Sequence, residues 1–152
     1  PPPSPLCHLR EVEHPIMLAG MGGVSYAELV AAVSNAGGYG VLGMAGRGPD
    51  FIRAQMREVR RLTDRPFGVD LLAASPESLT ASVDVIIAEG ASSFVAGLGV
   101  PMPIMAKLKA AGLKVMVVCG AVRHGEKAEA AGCDAVICQG SEGGGHTGLV
   151  GT

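Results

Sequence analysis

Six short apolar runs punctuate this chain, at residues 16–19, 40–44, 67–72, 93–96, 114–118 and 134–138. Each ends in or near glycine, and each but the last leads into a helical pattern. Run starts fall about 20 to 28 residues apart, the length of one βα unit. The runs are continuously apolar instead of alternating, as parallel strands are when helices cover them. Glycines gather after the strands, at the end where barrels and open α/β sheets bind their ligands. An open dinucleotide-binding sheet calls for GxGxxG after the first strand and a carboxylate closing the second. Gly20-Met-Gly-Gly-Val-Ser25 fits only in part, and the second run closes on Met44-Ala45-Gly46. Glycine loops after nearly every strand favour a (βα)8 TIM barrel instead. A closed barrel takes eight strands and about 250 residues. With 152 residues, this chain is read as an incomplete barrel supplying about six βα units.

The helices between the runs follow from their punctuation. Ser25 reads as the N-cap of a helix over 26–35, stopped at Gly37-Gly38. Pro49-Asp50 opens a second, with Ile52, Met56, Val59 and Leu62 on one side and arginines on the other. Ser75-Pro76-Glu77 starts a third, whose apolar face is Leu79, Val83, Ile86 and Ile87. Pro101 and Pro103 begin a fourth carrying Ile104, Met105 and Leu108, and a fifth spans 123–131. Residues 1–13 form a proline-led, loosely held arm, and 14–152 form the N-terminal part of the barrel domain.

Aromatic residues make up only 3% of the chain, so Ala, Val, Leu, Ile and Met must build the core. Arg53, Arg57, Arg60, Arg61 and Arg65 alternate with Glu58 and Asp64 and read as a solvated helix face. Net charge is −2, and the basic cluster has no aromatic interleaving, which argues against nucleic acid. Cys7, Cys119, Cys133 and Cys138 lack framework spacing, and the last three lie in or beside apolar runs as buried free thiols do. That points to a reducing compartment. With no signal layout and no membrane-length apolar run, the cytoplasm is the expected location.

The last run leads into Gln139-Gly-Ser-Glu-Gly-Gly-Gly-His-Thr-Gly148. Gly143, Gly144 and Gly145 let a ligand approach the main chain closely, at an entropic cost when the loop orders. No Gly-Lys-Ser/Thr follows, so this is not a phosphate loop of the Walker type. His146 has no histidine or acid at helical spacing, and Cys138 no paired cysteine, so it is not a zinc site. Glu142 is read as bonding loop amides, Met21 and Met44 as packing, and His14 and His124 as structural or solvent-facing.

Four segments together carry a resemblance. They are His14-Pro-Ile-Met-Leu-Ala-Gly-Met-Gly-Gly23, Asn35-Ala-Gly-Gly-Tyr-Gly-Val-Leu-Gly43, Arg65-Pro-Phe-Gly-Val-Asp70 and Gln139-Gly-Ser-Glu-Gly-Gly-Gly-His146. In this order and at these gaps the chain resembles the nitronate monooxygenase family, once called 2-nitropropane dioxygenase. The flavin-dependent enoyl-acyl-carrier-protein reductases share the pattern. The resemblance spans about residues 14–148, and its last segment is the most specific.

The resemblance implies an FMN-binding TIM barrel with His146 as catalytic base. It places Gly20, Met21 and Gly22 against the flavin, Asp70 at the isoalloxazine ring, and Gln139, Gly144 and Gly145 as further cofactor contacts. No metal is implied. The family usually has Asn where this chain has Asp70; an amide can donate to the flavin, whereas an ionised carboxylate only accepts. Gly143 stands where Ala is commoner. The family's seventh and eighth strands, which hold the FMN phosphate, have no counterpart here, so a longer protein is expected. The implied activity is oxidation of nitronates or nitroalkanes by FMN and dioxygen. The alternatives are reduction of an enoyl thioester by a nicotinamide, and a non-catalytic remnant unable to hold FMN. The expected partners are a small-molecule substrate, a nitronate or enoyl thioester, with dioxygen and a second copy of the chain, but neither nucleic acid nor membrane.

Overall fold

A computed structural model describes residues 4–73 and 76–152. Five parallel strands form one sheet in the order β1 (Gly40–Gly43), β2 (Phe67–Leu72), β3 (Ser93–Gly97), β4 (Lys114–Cys119) and β5 (Ala135–Cys138). Spatial order equals chain order, so no point exists where the winding reverses, as it must in a doubly wound sheet. Helix α1 (Pro5–Arg10) precedes the sheet and α2 (Ala27–Asn35) leads into β1. Helices α3 (Pro49–Leu62), α4 (Pro76–Ala88), α5 (Met102–Ala110) and α6 (Val122–Ala130) connect successive strands.

Register separates the two sheet faces. Leu42, Phe67, Val69, Leu71, Phe94, Ala96, Val115 and Val117 join residues from α2 through α6 in one large core, so these helices pack on one side. Tyr39, Val41, Val95 and Met116 form a smaller cluster on the opposite, inner face. Helices on a single side of a sequentially ordered parallel sheet are the arrangement of a (βα) barrel, and the fold is a partial barrel of that kind.

The first apolar run meets the sheet less fully than its composition suggests. Residues 16–19 make one isolated parallel bridge, Met17 to Tyr39, flanked by the bonds Leu18 N to Tyr39 O and Tyr39 N to Ile16 O. The run therefore borders β1 without forming a regular strand. At the other edge, Val136 and Cys138 are exposed on the side where the helices lie. Helix α6 adjoins β5 but leaves both exposed, so the strand expected to be buried is half-exposed and Cys138 is not a core thiol. Cys7 and Cys119 are buried, Cys133 is intermediate, and all four thiols are free.

The N-terminal segment is also more structured than a loose arm. Cys7 is buried, Val12 packs on the inner cluster, and Glu13 N and His14 N both donate to Gly37 O. Glu13 also pairs with Arg65 at 2.9 Å. The other arginines of the basic cluster are committed too. Arg53 and Arg57 converge on Glu89 just past α4, Arg61 binds Glu58, and Arg60 lies 4.7 Å from the Phe67 ring centroid. The cluster is solvent-exposed at Arg57, Arg60, Arg61 and Arg65, as expected of a solvated helix face, and Arg53 and Arg57 also tie α3 to the end of α4.

Helix limits follow the sequence with two changes. The start expected at Ser75 lies outside the described residues, and α4 runs from Pro76. Ser25 does not cap α2, which begins at Ala27 with Tyr26 in the extended cap position. Gln55 of α3 supplies the cap instead, its Oε1 accepting from Ala27 N at 2.9 Å. Among the described residues no helix is long and apolar enough to cross a membrane.

Glycine at 40 sets how closely α2 approaches β1. A Cβ there would lie 2.4 Å from Val30 O, a backbone atom of α2. Overpacking of this kind costs roughly 1–3 kcal/mol. Gly40→Ala is therefore expected to destabilise the fold by about that amount, read as a lower urea midpoint with an unchanged slope.

Candidate functional site

The loop after the first apolar run is built by Ser25. Its buried hydroxyl donates to Ala19 O at 2.7 Å and accepts from Met21 N at 3.1 Å. Ser25 N and Val24 N donate to Met21 O, and Gly43 N donates to Ser25 O. These bonds draw the loop across the C-terminal end of β1, where the absence of a side chain at Gly43 makes room. A Cβ on Gly43 would lie 2.5 Å from Met21 C and O. Met21 itself is exposed, unlike Met44, which is fully buried as a packing residue.

Gly20 meets Asp70 directly. A Cβ on Gly20 would lie 2.2 Å from Asp70 Cβ and 2.7 Å from Oδ2. Register places Asp70 on the inner face, in one row with Gly43, Val95 and Met116. Only 9% of Asp70 is exposed. Among the described residues its carboxyl has no hydrogen-bond or ion-pair partner; only its backbone is engaged, through Met44 N to Asp70 O. Desolvation of this unpaired group pushes its pKa up to about 7. At neutral pH a large share of Asp70 is therefore a neutral acid able to donate. The objection that a carboxylate can only accept loses its force here.

The glycine-rich loop follows β5 and folds back over the end of β4. Gln139 N donates to Cys119 O, and a Cβ on Gly120 would lie 3.9 Å from Gly148 Cα. Gln139 Nε2 donates to Gly144 O at 3.2 Å, so the two sequence candidates are brought together within the loop. Gly143 N donates to Gly140 O and Ser141 N to Val150 O. Glu142 accepts from Thr152 N at 3.0 Å, the loop-shaping part expected of it, and bonding to Thr152 holds its carboxyl below the usual range. Gly145 has φ +72°, a conformation that favours glycine, while Gly144 has open space where a side chain would stand. His146 is exposed in this loop, and His14 and His124 are exposed as well.

The candidates thus fall into two groups at the same end of the sheet. Gly20, Met21, Gly22 and Asp70 cluster at β1 and β2, and Gln139, Gly144, Gly145 and His146 follow β5. No hydrogen bond or ion pair among the described residues joins the groups. Exposed apolar residues also follow the strands: Leu72 ends β2, Leu98 and Met102 follow β3, and Val122 follows β4. Leu98 holds a left-handed backbone, φ +54°, between two glycines. Strain of this kind clusters at functional sites, yet nothing in residue type distinguished Leu98 beforehand. Gly43 and Ser25 were also missed as site-builders, because their partners are backbone atoms of a loop that sequence does not position. A cavity of about 350 Å³ lined by Gly46, Arg47, Gly48, Leu71, Leu72, Leu79 and Ser82 opens to one side, without Asp70 or the glycine-rich loop. Among the described residues no cluster of His, Cys, Asp or Glu is arranged to hold a metal.

Burial of Asp70 has a measurable consequence for stability. The folded pKa of about 7 exceeds the ordinary 3.8, so the folded state binds the proton more tightly between those values. Stability must then fall as pH rises through that window and level off above it, by a total on the order of 4 kcal/mol. Asp70→Asn removes this slope. Its melting temperature relative to the parent is expected to climb from acid to neutral pH; a gap that is constant with pH would place an ordinary carboxylate at 70.

Comparison with known proteins places these features in a family. A nitronate monooxygenase family model matches residues 3–82 and 77–152. The chain is 42% identical over 149 residues to (3aS,4S,5R,7aS)-5-hydroxy-7a-methyl-1-oxo-octahydro-1H-indene-4-carboxyl-CoA dehydrogenase of Mycobacterium tuberculosis, covering 98% of this chain and 42% of that protein. It is 31% identical to the nitronate monooxygenase of Paraburkholderia phytofirmans, covering 95% of this chain and 50% of that one. Among solved structures, FabK from Thermotoga maritima superposes with a TM-score of 0.92 at 40% identity, over 97% of this chain and 47% of that one. The nitroalkane oxidase of Streptomyces ansochromogenes gives 0.84 at 31% identity, over 95% and 51%. The chain spans about half the length of the relatives it matches. With its motifs, its one-sided βα array and a matching family model over nearly every residue, the chain belongs to the nitronate monooxygenase family.

Proposed function

We propose that this chain supplies the cofactor-facing half of an FMN-dependent oxidoreductase barrel acting on an acyl thioester. The observation that carries the reading is the pairing of exposed glycine main chain with a buried, unpartnered carboxyl at the strand ends. A flat polar-edged ring fits such a surface. Gly22 and Gly144 have open space around them where a Cβ would otherwise stand, and Asp70 offers an unused polar group. Gly20, Met21, Gly22 and Asp70 would hold one edge of FMN, and Gln139, Gly144 and Gly145 another. When bound, FMN supplies two-electron redox chemistry.

The remaining tasks belong to the protein. His146 is exposed on its loop, so its imidazole is available to exchange a proton with carbon beside an electron-withdrawing group, giving one to the α-carbon in enoyl thioester reduction and taking one from a nitroalkane. The exposed apolar residues that follow the strands, Leu72, Leu98, Met102 and Val122, would help to seat an acyl chain. Two relatives, at 42% and 40% identity, are named for a CoA substrate, which supports the thioester over the nitronate that the motifs first suggested. Oxidation of a nitronate with dioxygen is the second reading, favoured by the family description and by relatives at 30–31% identity. The two are separated by nicotinamide oxidation driven by an enoyl thioester, against oxygen uptake driven by a nitronate without nicotinamide.

The role of His146 is tested in the flavin-loaded protein. His146→Ala is expected to lower turnover by about a hundredfold or more, in the range of lost acid–base catalysis, with the visible flavin spectrum retained. Unchanged turnover would remove His146 from the proton transfer.

A further inference from the structure

Asp70 presents a chemical problem that the fold does not solve by itself. It is nine-tenths buried on the inner face, and burying a polar group without a partner is unfavourable. Its immediate surroundings give no relief. Gly20 approaches from the first loop, Gly43, itself packed under Met21, flanks it from β1, and Val95 and Gly97 flank it from β3. None of these carries a titratable or charged side chain, and Met21 N is already spent on Ser25 Oγ. Burial is the sole cause of its displaced titration. One oxygen, Oδ2, is wedged against Gly20. The other, Oδ1, looks towards Gly97, where even an added Cβ would stand 4.0 Å away. A carboxyl set beside missing side chains, at the open end of the strands, is shaped to meet something that arrives from outside.

We propose that Asp70 acts as a neutral carboxylic acid that donates a hydrogen bond to an acceptor on the polar edge of the bound flavin, and that its ionisation loosens the cofactor. This rests on the flavin reading above and adds a direction to it. An ionised Asp70 has no proton to give, and it sets a negative charge, poorly solvated, beside the carbonyl oxygens and ring nitrogens of the ligand. The opposite arrangement, with a carboxylate accepting from a ring N–H, predicts tighter binding as pH rises. The sign of the pH dependence therefore identifies the donor. Binding also has a reciprocal effect. A flavin that prefers the protonated acid must raise the pKa of Asp70 further by the same free energy, so the bound protein holds its proton to higher pH than the free one.

The test uses the protein titrated with FMN, followed by quenching of flavin fluorescence at about pH 5.5 and about pH 8.5, on either side of the carboxyl's transition. The dissociation constant is expected to rise by roughly tenfold across this range, the worth of one hydrogen bond involving a shifted proton. Asp70→Asn, which keeps a donor at either pH, should bind FMN with the pH sensitivity largely abolished. That variant retains His146 and the same FMN phosphate, so any dependence left in it comes from those groups. A second readout needs no turnover: the infrared band of a protonated carboxyl should be present near neutrality, vanish in Asp70→Asn, and persist to higher pH when FMN is bound. Binding that is flat with pH, or tighter at high pH, overturns the donor role while leaving the flavin reading intact. Absence of FMN binding by both proteins at both pH values overturns the flavin reading and the inference together.

Discussion

The contact between Gly20 and Asp70 is the constraint on which the mouth of this molecule depends. The first apolar run borders β1 through a single bridge, so sheet hydrogen bonding alone holds it weakly. What fixes its far end is close backbone packing: Gly20 on Asp70, and Met21 on Gly43. Ser25 then ties the turn from within. Two missing side chains thus let a loop lie on the strand ends with its own main chain facing outward. The same closeness that orders the loop excludes water from Asp70 and weakens its acidity. Architecture and electrostatics at this point have one cause.

Much of this was legible in the residues. Parallel strands buried by helices show as continuous apolar runs, and all five named strands fall where such runs stand. The apolar stripes of α3 and α5 are buried as their spacing requires, with Ile52, Met56 and Val59 in one and Ile104, Met105 and Leu108 in the other. Glu142 does bond a loop amide. These features are local in sequence, so propensity and periodicity are sufficient to find them.

What escaped prediction depended on partners distant along the chain. Ser25 has the composition of a cap, but a carbonyl six residues back claims its hydroxyl, and α2 takes its cap from Gln55, 28 residues ahead. The run 134–138 has the composition of a buried strand, yet Val136 and Cys138 are left exposed, and composition does not report coverage. The arginines of α3 are solvent-facing as the helical wheel requires, but their partners, Glu89 and the Phe67 ring, lie beyond the helix and could not be read from it. At the site, sequence supplied the residues and not their grouping: Asp70 with Gly20 on one side, Gln139 with Gly144 on the other. The altered character of Asp70 was hidden for the same reason, because desolvation belongs to the packed environment and not to the residue type.

The shared cap between α2 and α3 bears on how this half-barrel breathes. A helix usually frays from its first turn because the leading amides lack internal partners. Here the Ala27 amide is held by a side chain rooted in the middle of the neighbouring helix. Release of that amide to exchange with deuterium then requires Gln55 to let go, a motion that α3, pinned by its arginines, resists. Exchange of the Ala27 amide is thereby coupled to the hold of α3 on the head of α2.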